Sequence, residues 1–145
     1  MSFLLDTNVI SEWAKPRPDP KVIEWLAEAD EDRLYLSVVS FAELARGIEL
    51  LPKGQRRERL SAWVEEDLVP RFEGRILGID LRVASAWGTL LARSHALGLT
   101  THTMDGFLAA TASAFDLTLV TRNVRDFDRL GIRLLDPWNA DGPEG

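Results

Sequence analysis

Three carboxylates of this chain lie at points where short apolar runs or turns give way to helical patterns. Asp6 directly follows an apolar run, Glu43 is predicted in the first turn of the helix after a second strand, and Asp105 is predicted in the first turn of a later helix. Carboxylate oxygens are the hard donors that bind Mg²⁺ or Mn²⁺ in proteins. Brought together, they could hold a cation that neutralises a phosphate and activates water for phosphodiester hydrolysis. The three residues are therefore a candidate metal site.

Two further polar residues follow another predicted strand. Asn123 comes just after that strand, and Asp126 lies three residues further on. Four separate segments would then deliver oxygen atoms toward one edge of the same sheet. We add Asn123 and Asp126 to the candidate set because the carboxyl ends of parallel strands are where ligands bind in open α/β sheets.

Each carboxylate also has a purely structural interpretation. Asp6 could cap the helix that follows it, Ser40-x-x-Glu43 matches a capping box, and a first helical turn favours the charge of Asp105. We interpret Asp80, which follows a third predicted strand, as such a cap. Taken one at a time, capping explains these residues at least as well as metal binding does. Only their common location favours a cation, because clustered carboxylates repel one another without one.

Apolar strand-like runs alternate with helical patterns along the chain. This order predicts an α/β fold with a parallel sheet of about four to five strands, flanked by helices on both faces. The predicted strands cover residues 2–5, 33–39, 75–79, 117–121 and 132–135. The predicted helices cover residues 7–14, 22–29, 40–51, 53–69, 81–97 and 104–115.

Composition restricts the chemistry further. The 145 residues include no cysteine and only two histidines, which excludes thiolate sites and makes a histidine-rich zinc site a poor hypothesis. The net charge of −6 argues against a broad basic face for nucleic acid, although clustered metal-binding carboxylates would contribute to it. No apolar stretch has the length of a membrane span and no signal peptide is evident, so we expect a soluble, cytoplasmic protein without a membrane partner.

Four segments resemble one known family in order and spacing. They are LLDTNVISE at residues 4–12, SFAEL at 40–44, DGFLAATA at 105–112 and TRNVRDF at 121–127. The chain is similar to PIN-domain toxins of the VapC type, particularly the FitB-like subgroup, from residue 3 to residue 138. The resemblance implies a single PIN domain over residues 1–138, with a polar tail at 139–145.

The resemblance also implies an activity and partners. It implies a Mg²⁺- or Mn²⁺-dependent endoribonuclease that hydrolyses RNA as the toxin of a type II toxin–antitoxin pair. The implied partners are an RNA substrate, a cognate antitoxin protein and a second copy of the chain, giving a homodimer and a toxin–antitoxin hetero-oligomer.

Residue by residue, Asp6, Glu43 and Asp105 match the acidic metal-site positions of the family. The fourth position is usually Asp in the FitB-like pattern, whereas this chain has Asn123. Many VapC-type proteins pair such an Asn with an Asp three residues later, which makes Asp126 the candidate for the missing charge and leaves a second metal site open. Thr7 and Thr121 resemble hydroxyl residues that support the aspartates.

Two basic features and one alternative function complete the expectations. Arg46 is one turn beyond Glu43 and could face the pocket, and the basic run from Lys53 to Arg59 could contact RNA or form a solvated helix face. The alternative function is a non-catalytic regulatory module that binds RNA or antitoxin through the same acidic pocket. Asn123 is the only feature that favours it.

Overall fold

The computed structural model describes residues 1–139, which form a five-stranded, fully parallel sheet. The strand order is β3-β2-β1-β4-β5, so the chain moves outward from β1 on one side and then crosses to β4 on the other. The predicted α/β class and parallel sheet are confirmed. The strands are β1 (Phe3–Leu5), β2 (Leu34–Ser37), β3 (Ile76–Leu77), β4 (Thr118–Val120) and β5 (Leu134–Leu135).

Helical segments connect successive strands, as crossovers between parallel strands require. Within residues 1–139, no helix is long and apolar enough to cross a membrane. The helices are α1 (Thr7–Ile10), α2 (Pro20–Glu28), α3 (Val38–Glu49), α4 (Gln55–Ala62), α5 (Val69–Arg71), α6 (Leu81–Ala96) and α7 (Thr103–Ala114). A π-helical turn, Trp63–Leu68, joins α4 to α5, and 3₁₀ turns form at Ser11–Ala14, Glu31–Arg33 and Val124–Asp126.

The sheet divides the core into two layers because successive strand residues point to opposite faces. Leu5 and Val120 belong to the layer that packs against α1 and α2, where Trp25 is buried. Leu4 and Leu119 belong to the other layer, which packs against α6 and α7. Helices therefore cover both faces, and the short strands are held in place from either side.

The boundary between β2 and α3 differs from the prediction. Val38 and Val39 are β-branched, which predicts strand, but Ser37 ends β2 and caps α3 by accepting a hydrogen bond from the Val39 backbone N–H at 3.0 Å. The predicted capping box is therefore wrong. Ser40 is the third helical residue, its buried hydroxyl has no hydrogen-bond partner among the described residues, and Glu43 lies in the second turn.

Two predicted helices are also less regular than expected. The helix predicted over residues 7–14 tightens into the 3₁₀ turn after Ile10, and the helix predicted over residues 53–69 begins at Gln55 and widens into the π-helical turn. Both changes lie close to prolines, which cannot continue a helical hydrogen-bond ladder. Of the predicted tail at 139–145, residues 140–145 lie outside the described residues.

Candidate active site

Asp6 lies at the end of β1, beside β4, where the chain changes direction across the sheet. Its side chain is 7% exposed, and both carboxylate oxygens accept hydrogen bonds. The Thr7 backbone N–H donates to Oδ1 at 2.7 Å, and the Thr121 hydroxyl donates to Oδ2 at 2.8 Å. Asp6 is also the N-cap of α1. Capping α1 and contributing to the acidic site are therefore compatible for Asp6, because the cap fixes the carboxylate at the sheet edge.

The electrostatic environment of Asp6 brings the other two carboxylates into the same site. Burial raises the pKa of Asp6 from 3.8 to about 6, against the hydrogen bonds from Thr121 and Thr7, which lower it. The charges of Glu43 and Asp105 contribute to the same rise. Charges act on one another in this way only at close range, so the three predicted residues share one acidic site.

Glu43 is exposed on α3, and a residue of α1 holds its side chain in place. Its Oε1 accepts a hydrogen bond from the Thr7 hydroxyl at 2.7 Å. Thr7 thus supports two carboxylates, with its backbone N–H on Asp6 and its hydroxyl on Glu43. The resemblance predicted that both threonines support aspartates, which is what Thr121 does, whereas the hydroxyl of Thr7 serves the glutamate instead.

Asp105 is in the first turn of α7, as predicted, and is half-buried. Burial raises its pKa most, followed by the charges of Asp126 and Glu43, while His102 lowers it. The next residue, Gly106, packs tightly against α6, since a Cβ there would lie 2.7 Å from Leu91 Cδ1. This close approach of the two helices fixes the position of Asp105.

Asn123 directly precedes the 3₁₀ turn after β4, and Asp126 ends that turn. The Asn123 backbone N–H donates to the Thr121 hydroxyl at 3.0 Å, and the Asn123 side chain makes no capping hydrogen bond. Asp126 is exposed, and its charge acts on Asp105. The turn therefore brings both predicted residues to the acidic site, Asn123 through its backbone and Asp126 through its charge.

Asn8 also belongs to the site, although its residue type alone did not single it out. Its Nδ2 donates to the Thr121 hydroxyl at 3.5 Å, and its Oδ1 accepts from the Arg122 backbone N–H at 3.4 Å. Thr121 therefore receives hydrogen bonds from Asn8 and Asn123 and donates its own to Asp6. In the sequence, only its place as the third residue of the Asp-Thr-Asn run marks Asn8 as a candidate for the site.

The basic features lie outside this network. Among residues 1–139, Arg46 forms no ion pair with Glu43 or any other acidic residue. The run from Lys53 to Arg59 is mostly exposed on and before α4, where Arg57 pairs with Glu49 at 2.5 Å. The solvated-face interpretation of this run fits these contacts.

The donor set suits a hard divalent cation. It supplies carboxylate, hydroxyl and amide oxygens. Within residues 1–139, no three Asp, Glu, His or Cys side chains form a group that could by itself hold a metal ion. Mg²⁺ keeps several waters and takes only one or two carboxylates directly, so it does not require such a group. The carboxylates could therefore share an ion and leave room for a substrate phosphate.

Comparison with known proteins identifies the family of the whole chain. The PIN domain model matches residues 3–132. The chain belongs to the PIN domain family. It is 36% identical to the VapC ribonuclease Y4jK of Sinorhizobium fredii, covering 94% of this chain and 97% of that one. It is also 36% identical to the toxin FitB of Neisseria gonorrhoeae, covering 94% and 99%.

The structural comparison agrees with the sequence comparison. The crystal structure of FitAcB from Neisseria gonorrhoeae superposes on this PIN domain with a TM-score of 0.90 at 36% identity, covering 95% of this chain and 99% of that chain. The predicted resemblance to VapC-type toxins and to FitB is thereby confirmed.

Proposed function

We propose that this PIN domain is a Mg²⁺- or Mn²⁺-dependent endoribonuclease that acts in the cytoplasm as the toxin of a toxin–antitoxin pair. The observation that carries the proposal is that the charges of Glu43 and Asp105 both act on Asp6 at one edge of the sheet, and that the charge of Glu43 also acts on Asp105. The ribonuclease and toxin names of the relatives at 36% identity give the reaction its class.

In this proposal Asp6 and Asp105 ligate the metal directly, and Glu43 does so directly or through water. When bound, the ion would neutralise phosphate charge and lower the pKa of a water that attacks phosphorus. Thr121 and Thr7 fix the orientation of Asp6 and Glu43 through their hydrogen bonds, as outer partners of metal ligands do. Asn123 positions water or substrate, and Asp126 adds negative charge beside Asp105.

The proposed partners follow from the same relatives. A toxin that hydrolyses RNA inside its own cell requires a neutralising partner, so we propose a cognate antitoxin protein. We also propose a homodimer and a toxin–antitoxin hetero-oligomer. A basic antitoxin side chain placed among the carboxylates would compete with a metal for the same charge.

Asp6→Asn tests the function against a matched control. Asp80 also follows a strand and caps a helix, accepting from the Val83 backbone N–H at 2.9 Å. It stands before α6, and its charge is not among those that shift the pKa of Asp6 or Asp105. With purified protein, RNA and Mg²⁺, wild type and Asp80→Asn should cleave, and Asp6→Asn should lose cleavage by at least about a hundredfold while keeping its circular dichroism spectrum.

Two results would contradict the proposal. Equal cleavage by wild type and Asp6→Asn, in preparations free of contaminating nuclease, would remove Asp6 from the reaction. RNA binding by wild type without turnover, together with no Mg²⁺ affinity in calorimetry, would support the non-catalytic module instead.

A further inference from the structure

A pocket of about 200 Å³ opens beside Asp105. One wall is the loop at residues 99–102, which leads into α7, and the other wall comes from the segment at residues 125–130. Asp105 itself lines the pocket, so the pocket begins where the acidic site ends. A nucleic-acid strand with one phosphate held at the acidic site would have this pocket directly beside that phosphate.

The loop wall is fixed by hydrogen bonds rather than left open. Ser94 is buried on α6, its hydroxyl lies 2.8 Å from the Thr101 hydroxyl, and its backbone oxygen accepts from the Leu99 N–H at 2.9 Å. Gly98 makes the turn at φ 74°, a backbone conformation that favours glycine. Thr100 and Thr101 are thereby held at the wall of a preformed space.

The opposite wall is anchored by two core residues. Phe127 and Leu130 are 1% and 3% exposed, and they pack in the layer beneath α6 and α7. Because these residues point inward, Arg125 and Arg129 are exposed at the pocket. The guanidinium groups are therefore carried on a segment that the core holds in place.

Neither arginine is held in an ion pair by the acidic residues around it. Asp105, Asp126 and Asp128 line the same pocket, yet among residues 1–139 no ion pair forms to Arg125 or Arg129. Arginine is the side chain that binds phosphate in a bidentate fashion. Two such guanidinium groups next to a site for a metal-bound phosphate fit the next phosphate of the same strand.

We propose that this pocket is the subsite for the nucleotide adjoining the scissile phosphate, an assignment that rests on the proposed ribonuclease function. Arg125 and Arg129 contact the phosphate of that nucleotide, and the exposed Thr100 faces its sugar, where the 2′-hydroxyl distinguishes RNA from DNA.

The test compares Arg125→Gln and Arg129→Gln with Arg33→Gln. Arg33 carries the same charge and is exposed, but it precedes β2 at the amino end of the sheet, away from the site. The probe is a short, fluorescein-labelled single-stranded RNA that wild type cleaves, measured by anisotropy in EDTA over a range of KCl concentrations and by cleavage in Mg²⁺. Thr100→Trp, which fills the mouth of the pocket without changing charge, is the second kind of variant.

We expect each pocket arginine variant to weaken RNA binding about tenfold or more, as removal of a charged hydrogen bond does. The slope of log affinity against log salt should fall by about 0.7 for each phosphate that the variant no longer neutralises. Cleavage at saturating RNA should change little, so that the effect falls on KM, and Thr100→Trp should weaken binding without changing the salt slope.

The outcomes separate this inference from the function on which it rests. If wild type cleaves RNA but the pocket arginine variants match Arg33→Gln in affinity and salt slope, the subsite is wrong and the ribonuclease function stands. If wild type neither binds nor cleaves any RNA, the proposed function fails and the subsite fails with it.

Discussion

Asp6→Asn should make the metal-free protein more stable at neutral pH while removing its activity. Asp6 has a pKa of about 6 in the folded chain against an ordinary value of 3.8. At about 1.4 kcal/mol for each tenfold change in proton affinity, this rise corresponds to about 3 kcal/mol of destabilisation when the carboxyl is ionised. Asparagine cannot ionise, so the variant escapes that cost.

The sign of the pH dependence follows from which state holds the proton more tightly. Between about pH 4 and pH 6 the folded chain keeps the Asp6 proton and the unfolded chain releases it. The free energy of unfolding contributed by Asp6 is therefore highest below about pH 4, falls as pH rises to about 6, and is level above that. Asp6→Asn should remove this fall and gain about 1 to 3 kcal/mol over wild type at pH 7.

Urea unfolding in EDTA from pH 4 to pH 8 measures both effects. Asp80→Asn is the control, since Asp80 is an exposed cap and asparagine caps helices about as well as aspartate. Mg²⁺ at pH 7 should raise the stability of wild type by binding only the folded chain, and should leave Asp6→Asn unchanged. An Asp6→Asn protein that is less stable than wild type at pH 7, with the same pH profile, would refute the reasoning.

Two other substitutions test how the site is held. Thr121→Val keeps the shape of a fully buried side chain but removes the hydroxyl that lowers the pKa of Asp6. The acidic limb of a pH–cleavage profile should therefore move to higher pH. Mg²⁺ affinity should fall by about ten- to a hundredfold. Gly106→Ala should lower the free energy of unfolding by about 1 to 3 kcal/mol, measured in urea, because its Cβ would meet Leu91 and Trp87 at 2.7 and 2.9 Å; an unchanged midpoint would show that α6 moves aside at no cost.

The location of the acidic site could be predicted from sequence because it depends on a general property of parallel sheets. Asp6 and the 121–126 segment follow strands that are neighbours, β1 and β4, at the point where strand order reverses. The alternation of strands and helices predicted such an edge but not the strand order, which depends on packing between residues more than a hundred positions apart.

Local rules were less reliable where tertiary packing competed with them. The two valines after Ser37 have high β propensity, yet Val39 is 2% exposed as a helical residue, and its burial offsets the propensity. The spacing of Ser40 and Glu43 matches a capping box, but the residue that caps α3 is Ser37, about one helical turn earlier. The hydrogen bond that holds Glu43 comes from Thr7 on another helix, a contact that no local motif encodes.

The chain has Asn123 where the FitB-like pattern usually has Asp, and the geometry of the turn that follows explains how the site can still carry a negative charge there. In a 3₁₀ turn, residues three apart lie on the same side, and the Asp126 backbone N–H donates to the Asn123 carbonyl at 3.1 Å across the turn Val124–Asp126. Asp126 is thereby placed on the side of Asn123, and its charge reaches Asp105. Negative charge at this corner of the site thus comes from the end of the turn, and the role proposed for the Asn123 amide, holding water or substrate, requires no charge at position 123.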